Sequence, residues 1–235
     1  SPLATFGTGT LTNAGFADVF LVKLDAAGTL LWTRQAGGAG EDTAGGVAVA
    51  PDGSAYLVGG TGGSATFSGV IVTSLSGAAS DGFIAKYAGD GSAQWVRQFG
   101  GSGLAAARGV AVDASGTVHL TGYFSGGASF GTNTLGGIEG SYDAFLARLD
   151  ANGVFAFAQQ AGGADRSGDF GLGVGADAAG NSVITGYFSG TSTAGGRTLA
   201  SNGAEDVLVT RFNQFTGGGV PQMNFQRLGA TVRMR

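Results

Sequence analysis

Cysteine is absent from the chain and histidine occurs once, as His119. The missing cysteine excludes disulfides, thiolate metal sites and cysteine nucleophiles. Charge is also scarce. Asp, Glu, Lys and Arg make up 12% of the residues, low for a cytosolic surface, so Thr, Ser, Asn and Gln are left to keep the protein in solution. The 12 Lys and Arg are scattered without a basic stripe and the formal net charge is −4. Nucleic-acid binding needs clustered positive charge to displace phosphate counterions, so that class is excluded. No apolar run approaches the ~20 residues that cross a bilayer as a helix. A secretory leader pattern is missing at Ser1, and no G-x-S-x-G, H-E-x-x-H, P-loop or dinucleotide fingerprint stands in a supporting context.

Glycine, by contrast, is abundant at 48 of 235 residues, about three times its usual share. Disorder does not follow, because 43% of the residues are hydrophobic and 16 are Phe. These fall in short alternating runs between the glycines, which therefore act as turn punctuation in a β protein. The clearest unit is Gly109 to Ala161: GVAVDASGTVHLTGYF, a glycine-rich link, then DAFLARLDANGVFAFAQQA. Four strand-like segments are joined in pairs by Asp113-Ala-Ser-Gly116 and Asp150-Ala-Asn-Gly153. Asp first and Gly fourth suit a type I turn followed by a left-handed residue. Asp18 to Ala36 supplies another such pair, with Phe20, Val22 and Leu24 alternating against Leu21 and Lys23.

The unit recurs. Asp18, Asp81, Asp143 and Asp206 are equivalent and lie 63, 62 and 63 residues apart, and Trp32, Trp95 and Phe157 keep the same step. Such register predicts units that bury their faces against neighbours. Four strands per period without helical periodicity point to an all-β β-propeller of four-stranded antiparallel blades with a 62–63-residue repeat. A β-helix coil is too short for this period, and an immunoglobulin-like sandwich needs about 100 residues.

The motif G-V-A-V-D-x-x-G-x-x-x-L-T-G-Y-F, followed by D-x-F-L-x-[KR]-[LY] and W-x-R-Q-x-G-G, resembles the bacterial SBBP β-propeller repeat, a seven-bladed type, and more distantly NHL-type blades. The resemblance covers nearly the whole chain. It implies that the GVAV strand is innermost, the HLTGY strand second, the DxFLxKL strand third and the Trp-bearing strand outermost. On that definition 1–235 is one propeller region: a half blade at 18–36 and blades at 46–99, 109–161 and 171–228. Rings usually have 4 to 8 blades. The expectation is therefore a part of a longer chain, or a chain that self-associates to close its ring. Proteins carrying such repeats are typically large, exported bacterial proteins, so the expected location is extracellular, at the cell surface or periplasmic.

Candidate sites are few. The turn aspartates Asp25, Asp52, Asp90, Asp113, Asp150 and Asp177 offer one carboxylate each where a calcium loop converges several oxygens, so calcium draws no support and no cofactor is expected. His119 stands where the other copies have Tyr56 and Val183, which reads as a packing slot. Asp18, Asp81, Asp143 and Asp206 read as caps of the loops before them. Trp32, Trp95 and Phe157 read as blade-to-blade packing, with Arg34 and Arg97 stacked on the tryptophans. Tyr123-Phe124 and Tyr187-Phe188 read as aromatic core. Asp42 and Asp169, with Glu41 and Arg166 near them, fall in the links between outermost and next innermost strands, where propellers commonly bind ligands. The central copy has Ala105 there and adds Arg108, and the region of Asp165, Arg166 and Asp169 comes closest to an acid–base cluster. Asp42, Arg108, Arg166 and Asp169 are thus the ligand-binding candidates, with no catalytic residue. The function expected is a non-enzymatic recognition or scaffold module for a protein or glycan ligand. The alternatives are a propeller-type lyase or hydrolase, or a lectin-like ring.

Overall fold

A computed structural model describes residues 3–75, 80–163, 166–194 and 196–213, and the backbone of Met223–Phe225. Every regular element in it is a strand. A hairpin of β1 (Leu3–Phe6) and β2 (Gly9–Thr12) is followed by β3 (Val19–Leu24) and β4 (Leu30–Gly38). Next come β5 (Asp42–Val49), β6 (Ala55–Thr61), the short β7 (Ala65–Phe67) and β8 (Val70–Val72), then β9 (Asp81–Tyr87) and β10 (Ala93–Gly101). The order repeats in β11 (Ala105–Val112), β12 (Val118–Phe124), β13 (Ala128–Phe130), β14 (Asn133–Leu135), β15 (Asp143–Leu149) and β16 (Phe155–Ala161). It repeats again in β17 (Asp169–Ala176), β18 (Ser182–Phe188), β19 (Thr191–Ala194), β20 (Arg197–Ala200), β21 (Asp206–Phe212) and β22 (Met223–Phe225).

Three antiparallel meanders result, β5-β6-β9-β10, β11-β12-β15-β16 and β17-β18-β21-β22, called here the second, third and fourth sheets. The first sheet is β3-β4-β7-β8. First strands begin earlier than the GVAV motif suggests. Asp42, Ala105 and Asp169 are the first residues of β5, β11 and β17, not parts of a link. A one-residue bulge in each strand, at Gly45, Arg108 and Leu172, hides this continuity from simple alternation, because the register shifts there. Residues 214–222 and 226–228 of the last expected copy lie outside the described residues.

The long links fold into hairpins that reach backwards. β7 pairs with β4 of the preceding sheet, and β13 pairs with β10 in the same way. An isolated bridge from Gly162 to Thr193 puts β19 at the matching place on the third sheet. Three of the hairpins, β1-β2, β7-β8 and β13-β14, carry a phenylalanine wedge. Phe130 stacks on Phe99 of the second sheet at 4.8 Å and meets the tilted ring of Phe145 of the third at 4.8 Å, and all three are fully buried. Phe67 meets Phe83 at 4.7 Å and Phe6 meets Phe20 at 5.0 Å at equivalent positions.

A second device joins the sheets. The Trp32 indole N–H donates to Gly89 O at 3.1 Å, and Arg34 donates to Asp90 O at 3.1 Å and to Gly91 O. One sheet on, Trp95 donates to Ala151 O at 3.2 Å, and Arg97 to Asn152 O and Gly153 O, both at 3.1 Å. In each pair the guanidinium lies 5.4 Å from the indole centroid. A Trp-x-Arg on one fourth strand thus grips the last turn of the next sheet. Those turns suit the grip because Gly91 and Gly153 have φ of +82° and +79°, and a Cβ on Gly153 would sit 3.0 Å from the Trp95 ring. Gly153→Ala should therefore lower the unfolding free energy by about 1–2 kcal/mol. Gly203→Ala, where added atoms meet nothing within 4 Å, should stay within about 0.5 kcal/mol of the parent chain. Urea unfolding followed by tryptophan fluorescence measures both, and equal stability of the two variants would sink the account.

Candidate functional site

Most of the repeated polar residues are occupied by the fold. The turn aspartates Asp25, Asp113, Asp150 and Asp177 each accept two backbone N–H bonds inside their own turns, at 2.8–3.0 Å. Among the aspartates that open third strands, Asp18 accepts from Ala14 N at 2.8 Å, Asp81 from Leu75 N at 2.6 Å and Asp206 from Asn202 N at 2.8 Å. A glycine lies over three of this set. A Cβ on Gly37, Gly100 or Gly162 would come within 2.7 Å of an oxygen of Asp18, Asp81 or Asp143. These carboxylates tie loops to strands. Among the described residues no three metal-ligating side chains gather.

The sequence candidates scatter. Asp42 and Asp169 open strands of the second and fourth sheets, with the third sheet between them, and both are buried. Asp42 accepts from Gly38 N at 2.8 Å and from Gly62 N at 3.2 Å. Burial pushes its carboxyl above the ordinary range, those two N–H groups pull it back, and the Asp18 carboxylate pushes it further up. Arg166 is exposed between β16 and β17, and Asp165 lies outside the described residues.

His119 belongs to a closed network between the third and fourth sheets. Its Nδ1 lies 2.7 Å from Ser182 Oγ and its Nε2 lies 3.1 Å from Asp113 Oδ2. Arg148 donates to Ser182 Oγ at 2.8 and 3.0 Å and to Phe212 O at 3.2 Å. His119 and Ser182 are each 0% exposed, so no substrate reaches this Ser-His-Asp order. The network stands at the one sheet junction where Phe157 and Gln159 replace Trp and Arg. Burial holds the imidazole below its ordinary pKa despite the Asp113 hydrogen bond, and the Arg148 charge adds to the lowering. Burial works against the Asp113 charge too, but bonds from Ser115, His119 and Thr117 hold its carboxyl below the usual range. A histidine with a lowered folded pKa contributes stability above pH 6.5 and loses it as pH falls below that value. Thermal midpoints of the chain should therefore fall between pH 7 and pH 5, and His119→Gln should flatten that slope. An unchanged slope in the variant would show that other groups cause it.

Arg108 is placed differently. It occupies the bulge of β11, and a bulge turns a side chain off the strand's regular alternation. Its guanidinium lies 5.4 Å from the Tyr123 centroid and donates to Tyr123 Oη at 3.2 Å. Tyr123 meets Tyr142 at 5.3 Å and Phe170 at 5.0 Å, and Phe170 stacks on Tyr187 at 4.9 Å. All five side chains are half-buried. Burial raises the Tyr187 hydroxyl pKa, reinforced by the Glu205 carboxylate. Tyr123 and Tyr187 thus leave the core that the sequence reading assigned them, because they alternate with the buried Phe124 and Phe188. Equivalent positions elsewhere are small or polar: Gly60 for Tyr123, Ser80 for Tyr142, Ala106 and Thr43 for Phe170. Comparing the copies column by column carries that signal, which strand-by-strand reading missed.

Comparison with protein-family models gives no match, and no curated protein matches the chain.

Proposed function

We propose that the chain is a non-enzymatic recognition module: a segment of a β-propeller of the SBBP type, belonging to an exported bacterial protein and binding a saccharide at one junction between blades. The propeller reading is supported by the same strand order in successive sheets and by the hairpins and Trp-x-Arg grips that tie each sheet to the next. The functional reading rests on one observation. Arg108, Tyr123, Tyr142, Phe170 and Tyr187 form a half-exposed aromatic and guanidinium surface at the third and fourth sheets, where the second sheet has Gly45 for Arg108, Gly60 for Tyr123 and Tyr187, Ser80 for Tyr142 and Thr43 for Phe170.

The chemistry suits a sugar. The Arg108 guanidinium already lies over the Tyr123 ring, which disfavours a second cation there, so the ligand needs a flat apolar face to lie on the rings and hydroxyls at its edge. Tyrosine supplies an apolar body with a polar tip, and Arg108 supplies donors without an acceptor. The Trp32 and Trp95 indoles are bonded to neighbouring turns, which favours a single site over a lectin-like ring of tryptophans. The buried His119 and Ser182 lend nothing to a lyase or hydrolase reading. Screening the chain on a glycan array and titrating the hits by calorimetry should give saturable binding, weakened about tenfold or more by Tyr187→Ala or Arg108→Ala. Binding left intact in both variants would move the site elsewhere, and a blank array would end the saccharide assignment.

A further inference from the structure

We propose that the saccharide held between the third and fourth sheets is an acidic one, a hexuronic acid unit whose carboxylate pairs with Arg108. The inference rests on the saccharide reading above and adds the charge and the direction of the ligand. Its starting point is a difference among arginines. Arg34 donates to the carbonyls of Thr33, Asp90 and Gly91, and Arg97 to those of Val96, Asn152 and Gly153. Arg148 donates to Ser182 Oγ and Phe212 O, and Arg211 pairs with Asp177 at 3.1 Å. Arg108 has one polar partner, the neutral Tyr123 hydroxyl at 3.2 Å, and among the described residues no carboxylate pairs with it. A guanidinium carries five N–H groups, so most of those on Arg108 have no acceptor in the protein. A half-buried cation in that state gains from an anion that satisfies its donors.

The surroundings give the ligand a direction. The rings run in a row from the third sheet to the fourth, Tyr123 beside Phe170 at 5.0 Å and Phe170 beside Tyr187 at 4.9 Å. Arg108 stands at the Tyr123 end, 5.4 Å from that ring's centroid. At the other end burial raises the Tyr187 hydroxyl pKa and the exposed Glu205 carboxylate raises it further, so negative charge lies near Tyr187. The row thus has a cationic end and an anionic end. A sugar lying along it turns its acid towards Arg108 and its hydroxyls towards Glu205, which accepts hydrogen bonds and donates none. The guanidinium fork matches a planar carboxylate through two parallel bonds. In a hexuronic acid the carboxylate is bonded directly to a ring carbon, so one sugar unit spans the short step from the Tyr123 face to the guanidinium. The bulges equivalent to Arg108 carry Gly45 and Leu172, so this cation occurs at one junction only among the three bulged strands.

Calorimetry on the unaltered chain tests this with trisaccharides of glucuronic, galacturonic and mannuronic acid, each set against its methyl ester. At least one acid should bind about tenfold or more tightly than its ester, which keeps the ring faces and lacks the charge. That preference should shrink in ~1 M salt. Arg108→Gln should bring the acid down to the affinity of the ester, and Glu205→Gln should tighten the acid about two- to threefold. The comparison of acid with ester needs no variant, so a misfolded Arg108→Gln chain does not spoil the test. If esters or neutral trisaccharides bind as tightly as the acids and lose affinity in Tyr187→Ala, the acidic ligand is overturned while the saccharide site stands. If acids, esters and neutral sugars all fail to bind, both fall. A sulfated trisaccharide that binds as tightly as the best acid would overturn the carboxylate assignment.

Discussion

The grip of Trp95 and Arg97 on the carbonyls of Ala151, Asn152 and Gly153 links two sheets through groups that each sheet would otherwise leave idle. A tight turn closes its own hydrogen bonds inward and presents its remaining carbonyls outward, and a left-handed glycine keeps that side of the turn bare. Indole and guanidinium donate and have no acceptor of their own. The match is directional: the donors stand on a fourth strand and the acceptors on the last turn of the following sheet. Repeating it fixes the order in which sheets stack. The hairpins act in the opposite direction, as when Phe130 is lodged against the sheet before it. Clasped from both sides, a sheet of four short strands has little freedom to slide.

The third junction shows how much the arrangement depends on such a link. With Phe157 and Gln159 in place of Trp and Arg, the sequence there keeps the packing ring and exchanges the indole and guanidinium donors for a single side-chain amide. Arg148 supplies donors from the neighbouring third strand, reaching Phe212 O and Ser182, with His119 and Asp113 completing the set. A buried polar network of this kind is stable only when each member is satisfied. At the preceding junction the equivalents of Asp113, His119, Arg148 and Ser182 are Ala50, Tyr56, Lys86 and Val118, so the basic position persists while the aspartate, histidine and serine appear where the Trp-x-Arg pair is lost.

This explains what the sequence discloses and what it withholds. Strand alternation, the Asp and Gly of the turns and the 62–63-residue step are local or periodic, so they can be read from the chain directly. The loop-tying role of Asp18 and Asp206 is legible for the same reason, since the N–H groups they bind lie four residues away. The backward pairing of β7 with β4 is not, because its hydrogen bonds span residues some thirty apart and leave no periodic trace. Asp42 looks like a surface residue of a link until the bulge at Gly45 is recognised and the strand is extended back to it. Tyr123 and Phe124 look alike in composition, and only the facing of β12 sends one inward and the other to the junction.

Bulges supply the last step. At Gly45 a side chain is forbidden, because its Cβ would lie 2.0 Å from the carbonyl oxygen of Ala107 on the next sheet. At the equivalent place in β11 the chain carries Arg108, and in β17 the half-exposed Leu172. The same backbone irregularity therefore closes one junction and furnishes another with a guanidinium over an aromatic surface. A repeat whose turns, caps and grips are all engaged in holding sheets together has few positions at which to acquire specificity. On the recognition reading proposed above, the bulge at Arg108 and the Tyr142 and Phe170 positions are where specificity would sit, because they differ between copies while the strands around them keep their register.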